Sequence, residues 1–133
     1  MPHPRAVIPS LLAGLALTVA GCSAPETRSG PIDPGLINHV VLITLEDPGD
    51  ARELERDCEA LLAGIPSVAV YACGPHHETG RETVDDGYDV GLFVSFRSAG
   101  DYAAYLADPG HVALVEKWRP RWSEINIYDI ENR

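Results

Sequence analysis

The sequence predicts an α+β domain in the order β-α-β-β-α-β, a four-stranded antiparallel sheet with its helices on one face. Three observations carry this expectation. INHVVLITL at 37–45 and YDVGLFVSF at 88–96 alternate in the manner of strands. Ala51, Leu54, Cys58, Leu61, Leu62 and Ile65 form a helical stripe between them, and a second helical pattern follows from Ser98. Finally, the 37–45 segment is apolar on both sides, with His39, Val41, Ile43 and Leu45 on one and Val40, Leu42 and Thr44 on the other. Such a strand requires cover on both faces. Helices of the same chain supply one cover, and a second copy of the protein is the most economical source of the other.

The elements follow in order. After the first strand, Asp47-Pro48-Gly49-Asp50 is a turn, and Asp50 with Glu53 has the spacing of a capping box for the first helix. Gly64 and Pro66 end that helix, and Ser67 to Cys73 is the expected second strand. Gly74 to Gly87 is polar and punctuated by Pro75 and Gly80, the composition of a long hairpin loop. In the third strand Tyr88, Val90, Leu92, Val94 and Phe96 share one face, and Asp89, Gly91, Phe93 and Ser95 the other. Ser98 caps the next helix, which stops at Asp108 because Pro109 lacks a backbone donor and suits the first turn of a new helix capped by Asp108 itself. That short helix presents Val112, Leu114, Val115 and Trp118, Pro120 terminates it, and Glu124 to Ile130 makes the last strand. This is the ferredoxin-like arrangement.

The N-terminus points to export. Arg5 precedes the apolar run Leu11 to Ala20, which is too short to span a bilayer comfortably, and Val19-Ala20-Gly21-Cys22 reads as a lipobox. A lipoprotein signal peptide over 1–21, lipidation at Cys22, a flexible tether over 22–35 and a folded domain over 36–133 follow, placing the protein at the bacterial cell envelope, on the outer membrane if the host is Gram-negative. The formal net charge is −10, and loss of 1–21 removes Arg5 and no acid, so the mature chain is one unit more negative. Nucleic acid and anionic lipid headgroups are thereby disfavoured as partners.

Few residues promise chemistry. His39, Tyr105 and His111 converge beneath the second helix if the face His39 shares with Val41 and Ile43 is the helix-facing one. His111, in the first turn of a helix, is expected as a neutral ring, and a tyrosine hydroxyl beside it can act as hydrogen-bond donor or general acid toward a carbonyl oxygen. The competing structural reading makes both histidines partly buried and satisfied by backbone groups, with Tyr105 packing helix to sheet. His76-His77-Glu78, with Asp85 and Asp86 nearby, lacks a second spaced ligand pair, so no metal is expected, and no cofactor either. Cys58 and Cys73 invite a disulfide in an exported protein. Measured from the turn near Ile65, however, they lie at axial positions differing by on the order of 15 Å, so two separate buried thiols are expected. Phosphate-binding glycine loops, a serine elbow and spaced cysteine pairs are missing.

Asn38-His39-Val40-Val41-Leu42, Gly87-Tyr88-Asp89, Tyr105 with Asp108-Pro109-Gly110-His111, and the closing Trp118 to Ile130 segment together resemble the stress-responsive A/B-barrel (Dabb) family of small dimeric ferredoxin-like proteins, over roughly Ile37 to Glu131. The resemblance implies a homodimer formed through the open sheet face, a small apolar or aromatic ligand, and a role in stress response. A plant polyketide cyclase of the family looks similar at Tyr105 and His111, its catalytic pair, and has a histidine matching His39. It has further histidines where this chain has Val90 and Asp108. The resemblance therefore leaves two functions open. One is a binding module for a small molecule or a partner protein, with an adaptor role in envelope stress implied only by the family's name. The other is a cofactor-free enzyme using Tyr105 and His111 as acid/base pair with His39 as orienting group, for an aldol-type cyclisation, a proton shift or oxidation of an activated aromatic.

Overall fold

The computed structural model describes residues 35–133, so the expected signal peptide over 1–21, the expected lipidation at Cys22 and nearly all of the expected tether lie outside the described residues. The described chain forms β1 (Ile37–Leu45), α1 (Ala51–Leu62), β2 (Val70–Gly74), β3 (Val90–Phe96), α2 (Ala99–Ala107), α3 (Pro109–Trp118) and β4 (Trp122–Glu131), with short 3-10 turns at Pro48–Asp50 and Arg119–Arg121. The strands form one antiparallel sheet in the order β2-β3-β1-β4. The sequence predicts this architecture, helix break included.

Burial follows the predicted alternation. Val41, Ile43 and Leu45 of β1 and Val90, Leu92, Val94 and Phe96 of β3 are buried with Leu54, Cys58 and Leu62 of α1, Tyr105 of α2, and Leu114 and Trp118 of α3. The core therefore lies between the helices and one face of the sheet. On the other face Val40, Leu42 and Phe93 are half-buried, Tyr128 and Ile130 are exposed, and no described helix covers them. Asn38 and Ser95, paired across β1 and β3 on that face, are buried.

Local chemistry sets the helix boundaries. Ser98 Oγ accepts the Asp101 N–H at 3.0 Å and opens α2. Asp108 then accepts the Gly110 N–H at 2.8 Å and opens α3, with Pro109 in its first turn. Gly110 is required for a further reason: a Cβ there would collide with the Leu61 carbonyl, so its absence lets α3 approach α1. The outer rim of that contact is charged. Arg121 reaches Asp50 and, at 3.2 Å, Glu53, while Lys117 reaches Glu53 at 2.9 Å and Asp57 at 2.6 Å. Trp118 donates to Asp57 at 2.7 Å, and the Arg121 guanidinium stands 3.9 Å over the Trp118 ring.

Several expectations need correction. Asp50 and Glu53 form no capping box, because the Asp50 side chain makes no cap bond and both carboxylates are drawn to Arg121; Asp47 instead caps the preceding 3-10 turn. β3 begins at Val90, two residues after Tyr88, and β4 begins earlier than expected, at Trp122. Val112 is exposed. Cys58 and Cys73 are not separate. Both are free, Cys58 buried and Cys73 half-buried, and they neighbour one another closely enough that a hydrogen bond between them raises the Cys58 thiol and lowers that of Cys73. The 15 Å estimate assumed a strand running straight from Ile65. Residues 63–69 instead fold into turns, with the Val68 N–H on the Ile65 carbonyl, and β2 starts only at Val70. Cys73 then lies only about 10 Å along its strand, level with Cys58.

Candidate functional site

A cavity of about 420 Å³ opens between the sheet and the α2–α3 corner, lined by apolar side chains that include Val41, Ile43, Leu92, Leu114 and Ile125. His39, Tyr105 and His111 all line it. The helix break at Asp108-Pro109 produces this convergence, since it turns α3 back across the sheet so that His111, near its start, meets Tyr105, near the end of α2. The ring centroids of Tyr105 and His111 are 4.6 Å apart, and those of Tyr105 and His39 are 6.1 Å apart. Tyr105 thus stands between the two histidines.

Each ring has a definite hydrogen-bonding state. His111 Nδ1 lies 3.2 Å from the Leu106 carbonyl, which can only accept, so Nδ1 carries the proton and Nε2 keeps its lone pair. Burial holds His111 below its ordinary value of 6.5, opposed by the Leu106 hydrogen bond, so the ring is neutral at neutral pH. The Tyr105 hydroxyl is held protonated mainly by burial, with the neighbouring Cys58 and Tyr102 adding to the effect, and it makes no hydrogen bond among the described residues. A protonated donor and an imidazole lone pair therefore stand side by side in one apolar cavity. That arrangement can hold a carbonyl or hydroxyl oxygen and move a proton at it.

Two further residues complete the polar end. Asp129, opposite His39 in the β1–β4 register, takes His39 Nδ1–H on Oδ1 at 2.6 Å and the Tyr102 hydroxyl on Oδ2 at 3.0 Å. The carboxylate thereby fixes the orientation of the His39 ring through Nδ1. Tyr102 is raised to about 12, by burial first and then by its bond to Asp129. Sequence reasoning overlooked both groups. Tyr102 lies one helical turn before Tyr105, a usable signal, whereas Asp129 is found only once the register of β4 is known.

The two departures from the plant cyclase have structural accounts: Val90 is fully buried in the core, and the Asp108 carboxylate is engaged as the α3 cap. In the 74–87 loop, the His76 ring stands edge-on to Tyr88 and Glu78 accepts the Gly80 N–H. Among the described residues no three His, Cys, Asp or Glu side chains gather as a cation site.

The family model for the stress-responsive A/B barrel domain matches residues 37–132. The chain belongs to the Dabb family. Solved structures agree on the fold. A Dabb protein with a ferredoxin-like fold from Mesorhizobium loti is 23% identical, with a TM-score of 0.62 over 74% of this chain and 98% of its own. A dimeric ferredoxin-like protein of unknown function from Thermobifida fusca is 20% identical, with a TM-score of 0.61 over 74% and 92%. A hydroxynitrile lyase from Passiflora edulis is 16% identical, with a TM-score of 0.63 over 75% and 95%. No curated protein matches significantly. At these identities the neighbours establish the Dabb fold, and the function rests on the cavity itself.

Proposed function

We propose that this Dabb protein is a homodimer, lipid-anchored through Cys22 at the bacterial cell envelope, that binds a small apolar or aromatic molecule in the cavity beneath α2 and α3. The observation that carries the binding role is the shared cavity: His39, Tyr105 and His111 offer polar contacts in a hollow whose wall is otherwise largely aliphatic. Dimerisation is supported by the half-buried Val40, Leu42 and Phe93 and the exposed Tyr128 and Ile130 on the sheet face without described helices. The lipid anchor rests on the Val19-Ala20-Gly21-Cys22 motif alone.

The test of binding is a thermal-shift screen of small aromatic alcohols, ketones and acids. A ligand of the folded state raises the melting temperature of the wild type, and His111→Leu with Tyr105→Phe reduces the rise. A panel that shifts nothing refutes the reading. Size-exclusion chromatography with light scattering on the chain from Ser23 onward tests the dimer, which a monomer at tens of micromolar would exclude.

A second reading, a cofactor-free enzyme, is favoured by one observation: the protonated Tyr105 and the neutral His111 are in ring contact inside the cavity. Tyr105 would donate to a developing oxyanion while His111 takes a proton, with His39 orienting the substrate. A rate falling at least about a hundredfold in both Tyr105→Phe and His111→Gln, with binding retained, is the expected signature.

A further inference from the structure

The cavity has two electrically different ends. At one, Asp129 is engaged by His39 and Tyr102. At the other, Arg119 lines the wall just after α3, close in sequence to the cavity residue Trp122. Seven residues of extended β4 put these ends roughly 20 Å apart. Arg119 differs from the basic residues around it. Lys117 and Arg121 are occupied by Asp50, Glu53 and Asp57, whereas Arg119 has no ion pair among the described residues. Glu116 faces the adjoining hollow that Arg119 also borders, but the two make no ion pair. The Trp122 indole N–H, at the same end, is buried without an acceptor.

Arg119 is the basic residue that lines this mostly apolar cavity, and it makes no ion pair among the described residues. It is suited to an anion, and the acidic far end sets the direction in which that anion enters. We propose that the ligand of this cavity is an apolar carboxylate, its acid group held at Arg119 and its tail running along Ile125, Leu114 and Leu92 toward Tyr105 and His111. The inference rests on the binding role proposed above and adds the substrate class and the residue that selects it. His111 and Arg119 are eight residues apart on α3 and its end, so the ligand spans on the order of 12 Å. A branched or compact acid cannot reach both.

Isothermal titration of the full chain with phenyloctanoate and with its methyl ester tests this. The acid should bind roughly tenfold or more tighter than the ester, the increment of a charge-assisted contact in a partly enclosed site. Added salt should narrow the gap. Arg119→Met should bring the two affinities together, and Arg119→Lys should keep part of the difference. Arg119 is exposed, so neither variant threatens the fold. Decanoate run against its own ester separates a fatty acid from an aryl acid, since an Arg119-dependent preference for either supports the proposal. Equal affinity of acid and ester in the wild type, or a preference that survives Arg119→Met, overturns the inference and leaves the cavity as a binding site for neutral molecules. Binding of neither acid nor ester overturns both.

Discussion

The two faces of the sheet carry similar strand residues and meet different fates. On the helix side, Val90, Val94 and Phe96 are fully buried, in a core sealed by Leu54, Leu62 and Trp118. On the other side, Val40, Leu42 and Phe93 remain half-buried, and Tyr128 is 54% exposed. The difference lies in which cover the chain itself supplies, since hydrophobicity alternates along β1 with apolar groups in both phases. One face is therefore a folding core, and the other is a surface whose apolar area is worth burying by association.

This contrast can be broken most severely from the helix side. Trp118→Ala removes a ring packed into the core, the Asp57 hydrogen bond and the Arg121 stacking at once, and should cost about 3–5 kcal/mol by urea denaturation. Gly110→Ala should cost roughly 1–3 kcal/mol, because the added methyl forces α3 away from the Leu61 carbonyl; an unchanged denaturation midpoint would mean that the helices separate freely. On the opposite face, Leu42→Asp should abolish the dimer in light scattering while barely moving the stability of the monomer. A variant that unfolds instead would mean that Leu42 belongs to the core.

The smallest expected effect sharpens the comparison at the rim of the covered face. Arg121 first, then Lys117, lowers the Glu53 carboxyl from 4.5 to about 2. The folded state thus binds the proton less readily than the unfolded chain. The stabilisation is complete above pH 4.5 and is lost as the pH falls toward 2. Arg121→Met should flatten that part of the stability–pH curve. The effect should be modest and screened by salt, because the carboxylate is in solvent.

The candidate site was partly legible in the sequence. His39, Tyr105 and His111 could be brought together on paper because strand alternation assigns a face to His39 and the Asp108-Pro109 break folds Tyr105 toward His111. Asp129 could not, since it lies 90 residues from His39 and meets it only through the register of an edge strand. Arg121 gave no sign that it would take Asp50 away from a capping role, and the Cys58–Cys73 proximity depended on how tightly 63–69 turned.

From sequence alone came the order of elements, the two-sided apolar character of β1 and the α2–α3 boundary. Each depends on side-chain period, a proline's missing N–H or a cap within a few residues, all interactions that the chain carries locally wherever it folds. Tertiary structure decided which carboxylate serves which base, leaving Asp129 with His39, Asp50 with Arg121, and Arg119 without an acid among the described residues. Those choices follow from long-range register and helix packing, where a shift of one residue reverses a strand's faces and no short stretch of sequence contains the answer.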